Sequence, residues 1–458
     1  MSQYIKEKPK NEEKHDLFYI VYSVAILVYL LAINNTMTSV LSVFAVIAVI
    51  PFLFRPEKFL PLLFACAING EFFVAFQGIS MARIFTLIFI VGMIIRMVTE
   101  KMNPKMSDFV IHGLLVLFIV FSCATSYSGE LTPAFSFGLY IATLLFLLYM
   151  PFDRSYFLFG CSLISLVLSV FYVVVLVSGS ADAFMGRVTL DEDVNENQLA
   201  MGIAQLAAFN FAGYFVADKK NLKILLAAGG VCNVISLIFT GSRSAVIGTV
   251  VGLVACVILA TFGKSHEVRG IRFTTLLIIA VGCAVAYYVI TKYNPDVLER
   301  FSVDAVKESG GTGRAEVWGL VWNEVFPAFP FFGLGYGGQN LSYYLRDNFG
   351  VGHGAHNFFF DILSSTGIAG LLIFIPYTVV CLVKAIKTFR FDCSSLIPFT
   401  MLVTILFNGI GENTLGTRIF WFAAGLCLMI SRQKRENKIP VAEKSTVFAK
   451  IRRKYEKT

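Results

Sequence analysis

The sequence predicts an all-α polytopic integral membrane protein, with about 12–14 transmembrane helices and one large extracytoplasmic loop. Three observations predict it. Of 458 residues, 57% are hydrophobic and 15% charged, and the mean hydropathy is +0.72, a balance that excludes a soluble globular domain. Apolar runs long enough for a hydrocarbon core of about 30 Å recur along the chain. Lysine and arginine are sorted between alternate loops, as they are in proteins whose cytoplasmic loops retain positive charge.

Residues 1–16 read as a cytoplasmic tail. The stretch KEKPKNEEKHD is charged and no small-residue cleavage site follows it, so the first apolar run reads as an anchor and not a signal peptide. Candidate spans follow near 17–33, 39–54, 59–76, 83–98, 109–126, 134–150, 156–178, 198–217, 224–241, 245–263 and 273–291, about eleven within residues 17–291. Asn69 and Glu71 interrupt the third run, so 39–54 and 59–76 are expected to tilt or re-enter. Residues 292–356 form the large loop, far longer than ordinary connections and therefore expected to be functional. Spans near 357–383, 394–411 and 418–431 complete the set, and residues 432–458 read as a basic cytoplasmic tail.

With the N-terminus inside, 29 of the 38 basic residues fall on the inner side. The nine outside are Arg83, Arg187, Arg243, Lys292, Arg300, Lys307, Arg314, Arg346 and Arg418, so arginine outnumbers lysine there while lysine dominates inside. A face that has shed general positive charge yet kept guanidinium points to anion recognition, because the planar fork grips phosphate with two parallel bonds. Arg187, Arg243 and Arg314 come from different loops, in the settings GRVTL, GSRSA and GTGRAEVW.

Other chemistries find little support. The nine cysteines fall in spans or at the inner edge without a CxxC pair, which suits small buried hydrophobes better than a disulfide or thiolate site. His353 and His356 face out, three residues apart, but a zinc site needs three or four ligands and no acid or thiol has the spacing to complete one. A single imidazole acting as general base fits better, since it titrates near physiological pH. Asp191-Glu192-Asp193 mimics the metal-binding pair of nucleotide-sugar transferases, but such donors are absent outside the cell and charged loop tips are usually solvated. Glu71, Asp361 and Glu412 lie at membrane level, where an ionisable residue is a functional candidate.

Within the loop, EVWGLVWNEVF places Val317, Leu320, Val321 and Val325 on one helical stripe, with Trp318 and Trp322 on an adjoining face. It reads as an interfacial helix lining a lipid-substrate groove or, equally, as a helix packed on the bundle. The glycines of FFGLGYGG and GVGHG permit left-handed backbone and close approach to an anion. Asn357 is placed to start the next helix, and Gly367 with Gly370 has the spacing that brings spans together.

These residues carry a resemblance. His356, ten intervening residues and Gly367, within HNFFFDILSSTGIAG, resemble the signature of the O-antigen ligase and polymerase superfamily, which covers lipopolysaccharide O-antigen ligases and Wzy-type surface-polysaccharide polymerases. TGSRSAVIG resembles its arginine followed by three residues and an aliphatic one, with Ile247 where ligases usually show leucine. GRVTLDEDVNENQLA resembles its arginine-to-asparagine loop, and GTGRAEVWGLVWNEV with FFGLGYGG its large outer loop. The resemblance covers roughly residues 180–430.

The resemblance implies a GT-C-like fold in a bacterial cytoplasmic membrane, with both termini cytoplasmic. It implies a glycosyltransferase that joins undecaprenyl-pyrophosphate-linked oligosaccharide repeats at the outer face, without metal or cofactor. Arg187, Arg243 and Arg314 would hold the pyrophosphate, His356 would be the base, and His353 and Asn357 would support it. Expected partners are the lipid-linked oligosaccharide, the growing glycan chain, the bilayer, and flippase and chain-length regulator proteins, with no nucleic acid. Two alternatives stand beside this polymerase: an O-antigen ligase acting on lipid A core, and a lipid-linked oligosaccharide transporter or flippase. Against the transporter, no internal repeat relates the two halves.

Overall fold

The structure is a computed structural model. It describes residues 10–33, 39–69, 75–76, 79–177, 183–184, 187–188, 196–263, 314–337 and 339–437, with a few single residues between 265 and 293. In chain order its main helices are α1 (Lys10–Ile33), α2 (Ser39–Val49), α3 (Leu60–Asn69), α4 (Met81–Thr99), α5 (Met106–Ala124), α6 (Thr132–Leu147), α7 (Arg154–Val177), α8 (Glu196–Val216), α9 (Lys220–Phe239), α10 (Arg243–Phe262), α11 (Arg314–Leu320), α12 (Asn340–Phe349), α13 (Phe358–Phe389), α14 (Leu396–Asn408) and α15 (Arg418–Asn437). The strands among the described residues form two hairpins of two-residue strands, Ala75–Phe76 with Ile79–Ser80 and Ala183–Phe184 with Arg187–Val188.

Among the described residues eight helices are long and apolar enough to cross a membrane: α4, α5, α7, α8, α9, α10, α13 and the Glu12–Ala32 part of α1. This is an all-α, multi-pass membrane protein. Other expected crossings fold as shorter helices. The run 39–54 becomes α2 followed by a 3₁₀ turn, and 59–76 yields α3, whose 10 residues reach only about 15 Å. Neither helix is long enough to cross a hydrocarbon core by itself. The run 273–291 lies almost entirely outside the described residues, as does most of 292–313.

Helix α8 is the hub. Of its apolar window 89% is buried, against 28–50% for the other long helices, and it packs on α7, α9, α10 and α14. Its neighbours α10 and α14 touch closely because Gly248 and Gly252 face Asn408 and Thr404, where a side-chain carbon would collide. Small residues one turn apart let two backbones approach in lipid, where packing replaces the hydrophobic drive.

The helices run alternately up and down, so the bundle has two distinguishable ends. The starts of α8, α10, α13 and α15 and the ends of α5 and α14 lie at the end that carries His356. The starts of α5, α7 and α9 and the ends of α13 and α15 lie at the far end, with Asp16 and Lys58 paired there.

Helix α13 is broken at Gly367, which adopts φ 63° and ψ −158°. Only glycine takes this backbone without strain, and a Cβ there would strike the backbone of Phe331 and Phe332. The break is filled by loop backbone. Ile368 N donates to Pro330 O at 2.9 Å, Ala369 N to Phe331 O at 3.1 Å, and Leu334 N to Ser364 O at 2.7 Å. Polar groups freed inside a membrane helix must find such partners. The Gly367/Gly370 spacing therefore admits a loop strand at Gly367, where the sequence suggested a neighbouring span.

Candidate functional site

His356 is held from both sides. On one side the carbonyl of buried Ala355 accepts from Trp318 Nε1 at 2.8 Å, and the Trp318 ring stacks on Phe360 with centroids 5.5 Å apart. On the other, Asn357 caps α13: its Oδ1 accepts from Phe359 N at 3.0 Å and Phe360 N at 3.2 Å. A side-chain acceptor at this position satisfies the amides that a helix start leaves open. Between these anchors His356 takes φ 44°. Left-handed backbone is uncommon for a non-glycine residue and concentrates at functional sites.

The ring of His356 has a buried acid behind it. Its Nδ1 lies 3.5 Å from Glu412 Oε2, with the histidine side chain 39% exposed and the glutamate 7% exposed. Glu412 sits in the turn between α14 and α15, and that turn is pinned to the start of α13 by Phe358 N donating to Gly409 O at 2.6 Å. The other carboxylate oxygen, Oε1, is buried without a protein partner. A histidine with one face open and the other against a carboxylate is arranged to take a proton from outside and be stabilised once charged.

The same turn gathers basic groups. A Cβ built on Gly411 would lie 3.0 Å from Arg314 Nη1 and in collision with Ser244, so the starts of α10 and α11 both abut the residue next to Glu412. Arg243 is the first residue of α10 and Arg314 the first of α11. Further along, Arg418 Nη2 donates to Ser80 Oγ at 3.1 Å while Nη1 is buried without a protein partner. A cavity of about 140 Å³ opens there, lined by Asn413, Thr417 and Arg418 from the turn and Gln198 from α8.

The described part of the large loop, from Arg314 on, is packed. Val317, Val321 and Val325 are buried with Leu334, Leu341, Leu345 and Leu363, so this stripe packs, and α11 runs through a π-helical turn at Val321–Val325. Trp322 stays 53% exposed. The FFGLGYGG glycines 333, 335 and 337 do take positive φ, and three amides of the segment are engaged by the protein itself. Gly333 N donates to Phe329 O, Leu334 N to Ser364 O and Tyr336 N to Ser122 Oγ at 2.8 Å, which docks the segment on α5. Burial pushes the Tyr336 phenol well above its usual range, so it stays neutral.

The structure thus brings together His356, Asn357, Arg314 and the start of α10 that bears Arg243. His353 is exposed in the loop before His356. Arg187 pairs with Phe184 in its hairpin, which fixes its backbone register. Asp191-Glu192-Asp193 and Glu71 lie outside the described residues. Eight of the cysteines are described and free, and all but Cys232 are buried. Ser244 and Gly411 carried no assignment in the sequence, and Arg418 only a place among the outer arginines. The signal available was the run NGIGENTLGTR, a polar, glycine-rich turn between two apolar runs.

No curated protein matches the chain. Among solved structures, a chain of a peptidoglycan synthase complex, from a study of how polymerization and crosslinking are coordinated, is similar at TM-score 0.39 and 14% identity. The similarity covers 72% of this chain and 98% of that one, a likeness too low to bear on activity. Residues 228–375 match the family model described as O-Antigen ligase, so over that segment the resemblance read from the sequence, to the O-antigen ligase and polymerase superfamily, holds.

Proposed function

We propose that the protein is a membrane glycosyltransferase that polymerises undecaprenyl-pyrophosphate-linked oligosaccharide repeats at the outer face of a bacterial cytoplasmic membrane. The observation that carries this is the His356–Glu412 pair beside Arg314 and the start of α10, within or next to the segment matched to the O-antigen ligase family. In this reading Arg187, Arg243 and Arg314 bind the donor pyrophosphate, where guanidinium offsets charge that grows as the leaving group departs. The acceptor sugar hydroxyl gives its proton to His356 and attacks the anomeric carbon. A new C–O bond forms, the bond from that carbon to the phosphate oxygen breaks, undecaprenyl pyrophosphate leaves, and the configuration inverts. Glu412 stabilises the imidazolium from behind. His353 and Asn357 support the base, Asn357 by capping α13.

The matched family's own description favours a second reading, an O-antigen ligase acting on lipid A core. Ile247 does not separate the two, because it lies 51% exposed on the outside of α10. Purified wild type and His356→Ala on lipid-linked repeats, with EDTA present, test the proposal. A ladder of products from wild type alone supports the polymerase. A single transfer, only to supplied lipid A core, supports the ligase. An unchanged ladder from the mutant overturns the assignment of the base, and no product from folded wild type returns the transporter reading.

A further inference from the structure

We propose that the cleft at the far end of the bundle, between α5, α13 and α15, binds one anionic phospholipid of the leaflet surrounding that end. The cleft encloses about 800 Å³ and its long wall is apolar, formed by Ile111, Leu115, Ile373, Pro376 and Val380. Lys105 and Lys384 stand at its mouth, both exposed.

Charge decides the headgroup. Asp108, the acid in the lining, is already satisfied: it accepts from Arg432 Nη1 at 2.6 Å and from Tyr149 OH at 2.7 Å. His112 is engaged by neutral partners, with Nδ1 2.6 Å from Asp108 O and Nε2 3.1 Å from Tyr377 OH. Lys105 and Lys384 have no carboxylate within ion-pair distance among the described residues, so the mouth carries two uncompensated ammonium groups. A phosphate diester there meets both charges, its acyl chains lie along the apolar wall, and the lysine stems follow the chains outward. A free anion would satisfy the lysines yet leave the wall uncovered, which is why a lipid is the occupant.

The test uses the full chain in bilayer discs of equal phosphatidylglycerol and phosphatidylcholine, transferred to mild detergent and weighed with its retained lipid by native mass spectrometry. Wild type should retain phosphatidylglycerol preferentially, on the order of fivefold per lysine. Lys105→Gln with Lys384→Gln should lose most of that preference. The same-face control, Lys219→Gln with Lys220→Gln, should keep it. Each single lysine variant should lose part of the preference and serves if the double variant does not elute as folded protein. Equal retention of both lipids by wild type, an unchanged preference in the Lys105/Lys384 variants, an equal loss in the control, or displacement of the lipid by excess inorganic phosphate would each overturn the proposal.

Discussion

At the far end of the bundle, Arg96 meets Glu57 at 2.6 Å and Arg432 meets Asp108 at 2.6 Å, while Lys58 is paired with Asp16. At the histidine end, Glu412 Oε1, both side-chain polar atoms of Asn408, Thr414 Oγ1 and Arg418 Nη1 are buried without a protein partner. The two ends share their helices, yet the far end pairs its partly buried acids Asp16, Glu57 and Asp108 with basic partners, while the turn at the histidine end leaves several buried polar groups open. A buried group left unpaired costs about 1–3 kcal/mol, so several around one turn call for partners from outside the protein, water or a bound molecule.

The sharpest way to break this contrast is His356→Ala. If the histidine end is the reacting end, turnover on lipid-linked repeats falls by about 10²–10⁴-fold, the range of a lost general base, while elution and melting temperature hold. Turnover within a few-fold of wild type would remove the base from the mechanism. Next comes Glu412→Gln, which keeps the shape and removes the charge behind the ring. A supporting partner of this kind is worth about 10–100-fold, and the loss should fall on kcat with KM unchanged, partly restored by Glu412→Asp. A change confined to KM would make Glu412 a binding group and sink its role behind the base.

Much of this contrast was legible in the chain. Apolar runs pointed to the class, and the histidine-to-glycine spacing with Arg243 and Arg314 pointed to the end where the structure sets His356 beside Glu412 and Arg314. What escaped reading has a common cause, long-range pairing. HNFFFDILSSTGIAG reads as one continuous helix, because hydrophobic periodicity does not reveal that Pro330–Leu334 backbone will replace a turn at Gly367. Glu412 could be named as a membrane-level acid, yet no local spacing ties it to His356 across an intervening helix pair. FFGLGYGG suggested an anion loop on composition, and composition did not show that three of its amides, those of Gly333, Leu334 and Tyr336, would be used on Phe329, Ser364 and Ser122.

The far end supplies the opposite control. Glu57→Gln breaks the pair with Arg96, whose partners shrink to Glu100 at 3.0 Å. The pair is partly buried, so the loss should lower stability by about 1–2 kcal/mol, visible as a lower melting temperature. Turnover per folded molecule should stay at the wild-type value. Equal losses of turnover and stability would show that the two ends are not functionally separate.

The smallest effect is expected where packing and chemistry meet, at Trp318. Its N–H donates to Ala355 O and its ring stacks on Phe360, so one side chain fixes the residue before His356 and the first turn of α13. Trp318→Phe keeps a ring for the stack and removes the hydrogen bond, leaving the buried Ala355 carbonyl without this donor. A single neutral hydrogen bond is worth about 1 kcal/mol, which as a shift in the population of correctly held His356 corresponds to about a five-fold fall in turnover. Trp322→Phe, on the exposed neighbouring face, should cost neither turnover nor stability. If both variants behave alike, the left-handed backbone at His356 is held by Asn357 and the α13 cap alone, and the loop helix serves only to cover the bundle.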